Sequence, residues 1–483
     1  MAPYKKPVTR RDFCRTTLAS LGALATTRAH AGTRRPNILF ITSDDMGPYL
    51  GCYNDPCART PHLDRLASEG ALFERAYVAQ ASCSPSRSAM FTGLFPHQNG
   101  QIGLAHLGYS MHPGQKTLPA LLKAAGYRTG VLGKIHVAPD GPLPFDLRKP
   151  GYAFGSREVM KAAARAGQFF EAAGEEPFFL MLNFFDPHRP YEGKNQVAGI
   201  PEQPQGPDDV RPFPFLGLDA PEVREEVAAY YNCTARVDAG VGETLRRLEA
   251  SGKADNTLVV FIGDHGPPFT RGKTTCYESG VRIPFLARWP GRVPAGVRRN
   301  ALVSTVDLLP TMLDAAGVEP PACEGRSILP VCEDADAPWR ACLHTEFNSH
   351  GPWHWFPRRA VRNARYKLIL NLLAGRENPV RGVDDCKAWP VSQRPEYEGT
   401  RIREAYDRYH QPPRIEFYDL EADPAEFHNL AGEPAHEIEQ QRLLMDLAAW
   451  RKKTKDPLLD PETLAEMTRK HDALVGERPH WPG

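Results

Sequence analysis

The sequence predicts an α/β protein: a mostly parallel sheet sandwiched by helices, then a smaller antiparallel sheet with a closing helix. Three observations carry that reading. Short continuous apolar runs, NILFIT (37–42), FFLMLNFF (178–185) and TLVVFIG (257–263), alternate with long amphipathic stretches, the pattern of buried parallel strands with helices on both faces. Past about residue 340 the texture changes to half-exposed alternation in RAVRNARYKLILNL and RIEFYDLEADPAEFHNLAG. The chain of 483 residues is long enough for a large domain with a smaller companion.

Each element has a local reason. TPHLDRLASEG (60–70) reads as a helix with Thr60 as N-cap, Pro61 in the first turn and Gly70 as the stop. TLPALLKAAG then YRTGVLG, and SREVMKAAARAGQFFEAAG then PFFLMLNFF, repeat helix and strand. The long segment 221–252 before TLVVFIG does so again. The α/β part spans residues 36–335 and the smaller α+β part 340–483, closing on the helix IEQQRLLMDLAAWRKK.

Residues 1–31 read as an address. Arg10 and Arg11 precede a mild, threonine-rich apolar run, and Ala29-His30-Ala31 offers a small-residue cleavage site, which fits a twin-arginine export signal and a periplasmic or secreted product. The run is too short for a membrane anchor. With 59 basic and 58 acidic residues, no global field points to nucleic acid. Of ten cysteines, Cys14 falls in the leader. An exported chain permits disulfides among the rest, whose pairing sequence does not give.

Four predicted strands end in polar clusters: Asp44-Asp45, Lys134 with His136, Asp186-Pro187-His188, and Asp264-His265. Ligands of open parallel sheets bind beyond the carboxyl ends of strands, so one sheet edge gathers acids, histidines and a lysine. Singly, the aspartates read equally well as caps or turn residues, and the histidines as structural ones. Together, three aspartates at an apolar edge cost several kcal/mol unless a cation offsets them, and oxygen donors suit calcium or magnesium. Cys83, in ASCSPSRSAMFTG, lies just before a helix start at Pro85, where free N–H groups favour an anion. Arg87 sits one turn in, and Lys273 is a further cation. The whole suits a compact oxyanion, sulfate or phosphate.

CSPSRSAMFTG matches, without departure, the maturation signature of the type I sulfatase family, and the chain is similar to that family over most of its length, including YDLEADPAEFHNLA. The resemblance implies an alkaline-phosphatase-like fold and a Cys83 oxidised to Cα-formylglycine by a generating enzyme. It implies a divalent cation, calcium in most members, held by Asp44, Asp45, Asp264 and His265 together with residue 83. His265 is the donor that suits softer metals. Arg87, Lys134, His136, His188 and Lys273 then resemble the groups that hold the formylglycine, the sulfate and the leaving atom. One hydroxyl of the hydrated aldehyde would attack sulfur. His136 would deprotonate the second, expelling sulfate.

TGLFPHQNGQIGLAH, GKIHVAPDGPLPFD and GPPFTRGKTT resemble the heparan N-sulfatase branch, which implies a sulfated saccharide substrate, N-sulfoglucosamine in that branch. Lys273 departs from it, because arginine stands there in that branch and lysine is usual in O-sulfatases. N–S and O–S cleavage therefore both stay open, as do a phosphodiesterase or phosphonate hydrolase on the same fold and a glycan binder whose Cys83 is never matured. A homo-oligomer is also compatible with the sequence. Segment 345–359, with His350, Trp353, His354, Trp355, Arg358 and Arg359, reads either as a sugar-contacting loop or as packing between the two parts, and Gln98 and Asn99 are weaker candidates of the first kind.

Overall fold

The apolar runs of the sequence become the middle of an eight-stranded sheet in the computed structural model, which describes residues 35–149, 157–191, 197–379 and 386–474. The proposed export signal lies outside the described residues. Strand Asn37–Ser43 sits between Phe178–Phe184 and Thr257–Gly263, parallel to both, and every residue of all three is buried. Arg128–Gly133 extends the parallel set beyond Phe178–Phe184. Phe285–Arg288 runs antiparallel beside Thr257–Gly263, so the sheet is mostly rather than wholly parallel.

Helices cover both faces, as continuous apolar strands require. Val159–Ala172 and the 30-residue helix Pro221–Ala250 pack with the Leu39, Ile41, Leu180, Leu182, Val259 and Phe261 side of the sheet. The opposite side, from Ile38, Phe40, Phe179, Met181, Val260 and Ile262, packs on Met90, Phe91, Leu118, Leu122, Leu309 and Leu313. Helix Pro61–Ser68 begins at the expected proline, and Asp238 of the long helix accepts its early Leu63 N–H at 2.7 Å, so the cap comes from another element. A small sheet of two-residue strands, Ala76–Tyr77, Arg282–Ile283 and Val303–Ser304, was not expected. Two residues carry no periodic signal.

The C-terminal sheet is four antiparallel strands, Leu343–Phe347, Arg358–Arg362, Tyr366–Asn371 and Ile415–Asp419, in chain order. Helix Glu437–Lys453 covers it through Leu443, Leu447 and Trp450, and Ala79, Ala89 and Phe95 of the first part share that core. No helix among the described residues is long and apolar enough to cross a membrane. All nine cysteines of those residues are free thiols.

A buried ionic chain ties this sheet down. Asp456 accepts a two-pronged bond from Arg359 at 2.8 and 2.9 Å and a third bond from Arg451 at 2.6 Å. The two guanidiniums hold its carboxyl below the usual range although burial opposes this. Removing one partner of such a group strands the other charges. Asp456→Asn should therefore lower unfolding free energy by about 3 kcal/mol, read from urea melts with unchanged slope. A loss below about 0.5 kcal/mol would show the pairing to be energetically idle.

Candidate active site

Strand register builds the site. Ser43 pairs with both Phe184 and Gly263, and Gly133 with Asn183, so four strands end level. The segments that leave them carry Asp44-Asp45, Lys134-His136, Asp186-His188 and Asp264-His265 to one place. Gly133 turns at φ +87°, and a Cβ there would lie 2.0 Å from the Asn183 carbonyl oxygen, so only glycine fits the turn that delivers Lys134.

Residue 83 arrives on the helix Cys83–Thr92, all ten residues of which are buried. Ser84, Ser86 and Arg87 bind outward to other elements, whereas Ser88 and Thr92 donate within the helix. Ser84 Oγ accepts Ala105 N–H at 3.0 Å, Ser86 Oγ donates to the Asp264 carbonyl at 2.5 Å, and Thr92 Oγ1 donates to Ser88 O at 2.8 Å. Ser82, extended at the N-cap, makes no capping bond and instead meets His350 Nδ1 at 2.9 Å. Gly93 closes the helix at φ +67°, with its N–H on Ala89 O, the left-handed stop that favours glycine. The signature is thus a helix with a glycine stop and a small polar side chain at each contact point.

Asp44, Asp45, Asp264 and His265 have no exposed surface, and Cys83 has almost none. Cys83 Sγ lies 3.5 Å from Asp44 Oδ1 and 3.3 Å from His265 Nε2. Three cations answer the three carboxylates. Lys134 Nζ contacts Asp44, Lys273 Nζ donates to Asp45 Oδ2 at 3.0 Å, and Arg87 Nε donates to Asp264 Oδ2 at 2.9 Å. Arg87 also donates to the Lys134 carbonyl at 2.9 Å, with Asp264, Asp44 and Cys83 all near its guanidinium.

The electrostatics follow from burial and neighbours. Burial raises Asp44, yet Lys134, His188 and Arg87 outweigh it and hold the carboxyl well below its ordinary value. Asp264 is raised, by burial and by Asp44. Burial and then Asp44 push the Cys83 thiol up, which keeps it neutral and a poor nucleophile. Burial disfavours a charged His188, but Asp45, whose Oδ2 is 3.9 Å away, is the main group that lifts it to about 9. Burial and Lys134 keep His136 neutral.

The donor set fits a metal. Oxygens of Asp44 and Asp45, Cys83 Sγ and a His265 nitrogen all lie within 4.8 Å of one another. Asp45 Oδ1 is buried without a hydrogen bond, although Lys273 Nζ and His265 Nε2 stand 3.0 and 3.2 Å from it. Asp264 stands beside this group, its Oδ1 accepting the Asp45 N–H at 2.9 Å and lying 3.8 Å from His265 Nε2. Charge repulsion alone does not demand a cation, because Lys134, Lys273 and Arg87 already offset the acids.

Every catalytic and metal candidate of the sequence is therefore brought together. The segment 345–359 divides. His350 is buried against Ser82, with Lys273, His354, His265 and His136 around it. Trp355 packs instead, its indole on Thr468 at 3.1 Å and stacked on His471. Gln98 and Asn99 bind the turn around residues 88–101. Sequence reasoning missed Arg157 and Arg236, which both grip Asp186 beside His188. It also missed His106, 2.7 Å from His136. Arginines far apart in sequence give no local signal of a shared partner.

Residues 36–318 match the family model described as Sulfatase, and residues 263–377 the one described as N-sulphoglucosamine sulphohydrolase, C-terminal. The chain is 33% identical to the human N-sulphoglucosamine sulphohydrolase, covering 88% of this chain and 91% of that protein. It is 30% identical to an ulvan-active sulfatase of Formosa agariphila, covering 89% and 83%. A solved complex with D-glucosamine-2-N,6-O-disulfate, described as that protein's substrate, superposes with a TM-score of 0.66 at 23% identity, covering 87% of this chain and 98% of that one.

A cation seated on these donors stabilises the fold by mass action. Calcium at about one hundred times its dissociation constant should add about 2.7 kcal/mol and raise the melting temperature, and Asp45→Asn should abolish the rise. Melting curves that calcium, magnesium and manganese all leave unmoved would count against the metal site.

Proposed function

Because the chain belongs to the sulfatase family, we propose that it hydrolyses a sulfated saccharide, N-sulfoglucosamine of heparan-type fragments, with residue 83 matured to formylglycine as its nucleophile. One arrangement carries this reading: a buried residue 83 at a helix start, 3.5 Å from Asp44 and 3.3 Å from His265, with Lys134 on Asp44 and Lys273 on the adjacent Asp45. The match of residues 263–377 to the N-sulphoglucosamine sulphohydrolase C-terminal model supports the sugar. Lys273 supports the second reading, an O-sulfatase.

Asp44, Asp45, His265 and the adjoining Asp264 would hold the cation, calcium by its oxygen-rich donors, which when bound would stabilise sulfuryl charge and acidify a hydroxyl of residue 83. Hydrated formylglycine supplies one hydroxyl to attack sulfur and a second whose deprotonation releases sulfate and restores the aldehyde. Lys134 and Lys273 present their ammonium groups to the sulfuryl oxygens. Arg87 fixes Asp264 and the Lys134 backbone, and so the floor of the site. His188 or Lys273 gives a proton to the departing nitrogen or oxygen, and His136 takes the proton of the second hydroxyl. A thiol could not serve in this scheme, since it has no second hydroxyl to ionise. The leader read in residues 1–31 would export the matured enzyme.

Sulfate release should be measured from N-sulfoglucosamine beside 6-O- and 2-O-sulfated saccharides and a phosphodiester. Preference for the N-sulfate is expected. Preference for an O-sulfate moves the assignment to the second reading, and preference for the phosphodiester overturns both. Mass spectrometry of the Cys83 peptide should show the aldehyde, and Cys83→Ser should lose more than about 10³-fold in turnover, the scale of losing a covalent nucleophile.

A further inference from the structure

His106 is exposed on the short helical turn Ala105–Leu107, yet its position is tightly specified. Ala105 N–H donates to Ser84 Oγ at 3.0 Å, one residue past Cys83, and Leu104 N–H donates to the His350 carbonyl at 2.9 Å. The helix start that carries residue 83 therefore sets where this turn lies. From it His106 Nδ1 reaches His136 Nε2 at 2.7 Å. The two rings are nearly parallel, 23° apart, with centres 4.9 Å apart. Nitrogens so much closer than the ring centres mean an end-to-end hydrogen bond rather than a face-to-face stack.

His136 itself is held in an uncommon backbone state, at φ +56°. Such a conformation in a residue other than glycine costs on the order of 1 kcal/mol and persists where surrounding contacts over-determine it. Those contacts link the same two segments. Ala138 N–H donates to Gln101 Oε1 at 3.1 Å, and Met111 N–H donates to the Ala138 carbonyl at 2.8 Å. With Nε2 turned to His106, the other ring nitrogen, Nδ1, is the buried one.

We infer that His106 is a positioning residue that fixes the tautomer of His136: it accepts the Nε2 proton at its own Nδ1 and so leaves His136 Nδ1 bare to take a proton inside the site. A bare nitrogen there is what a base needs, and a proton on it would make the ring a donor instead. This rests on the proposed function for the proton's origin. In that reading the proton comes from the second hydroxyl of residue 83, whose electron pair forms the carbonyl as the C–O bond to the departing sulfate breaks.

The tautomer can be read without turnover, from two-bond nitrogen–proton spectra of histidine-labelled protein in its unmatured Cys83 form. The wild type should carry its His136 proton on Nε2, and His106→Ala should lose that fixed state. A proton on Nδ1 in the wild type, or an unaltered His136 pattern in His106→Ala, overturns the inference. In matured protein assayed with an activated aryl sulfate, His106→Ala should release one equivalent of phenol in a burst and then turn over about 10²-fold more slowly, the scale of general base catalysis. His106→Asn, whose Oδ1 can accept in place of Nδ1, should recover most of the rate. Equal losses in Ala and Asn, or Ala within twofold of wild type, overturn it as well. Failure of the wild type to release sulfate at all would instead strike the proposed function.

Discussion

Three ionisable carboxylates without solvent contact, at the level ends of two neighbouring strands, are the constraint to which the rest of this structure answers. Asp44 and Asp45 follow Ser43, and Asp264 follows Gly263, its direct partner in the ladder. Charges so placed are unaffordable alone. The chain meets them from three directions: Lys134 from the next strand but one, Lys273 from the loop after Asp264, and Arg87 from the helix of residue 83. Each cation is delivered by a different element. Any shift in strand register would therefore unpair an acid and a base together, which couples the integrity of the site to that of the sheet.

The helix Cys83–Thr92 shows the same economy. A wholly buried helix is usually apolar on every side, whereas this one reads CSPSRSAMFT. Its polar groups are tolerated because each has a partner: Ser84 with Ala105, Ser86 with the Asp264 backbone, Ser88 and Thr92 within the helix and with Asn99, and Arg87 with Asp264. Small hydroxyls let neighbouring backbone approach closely. A sequence that reads as a maturation signature is thus also the packing solution for seating residue 83 among carboxylates. These two demands explain why so many adjacent positions are specific in type.

Much of this was legible beforehand, and the reasons differ by element. Central strands announced themselves because burial on both faces leaves continuous apolar runs, and their polar ends stood out against that background. Thr60-Pro61 and Gly70 marked the ends of one helix through local backbone chemistry. The site was readable because its residues sit immediately after recognisable strands or inside one contiguous motif. What escaped notice was long-range. Arg157 and Arg236 meet on Asp186, and Asp238 caps a helix 175 residues away, with nothing local to flag them. His350 lay in a segment open to two readings. The structure gives that histidine to the site and Trp355 to packing, since one residue faces Ser82 and the other the helix Pro461–Leu474.

Under the proposed function, the proton for a nitrogen or oxygen leaving group would come from one pair of side chains. His188 and Lys273 both stand on Asp45, at 3.9 and 3.0 Å. A lysine there can give up a proton, whereas an arginine at that position cannot. An arginine would leave His188 as the sole acid of the two, but here a departing amine or alcohol would have two proton sources anchored on one carboxylate. Acid strength then separates the two linkages poorly. Under the proposed function, discrimination would then have to come from contacts to the sugar rather than from the acid. The turns around His106 and His350 are joined beside the start of the helix, by the Leu104 N–H on the His350 carbonyl and by Gln80 on the carbonyls of Ile102 and Ser349.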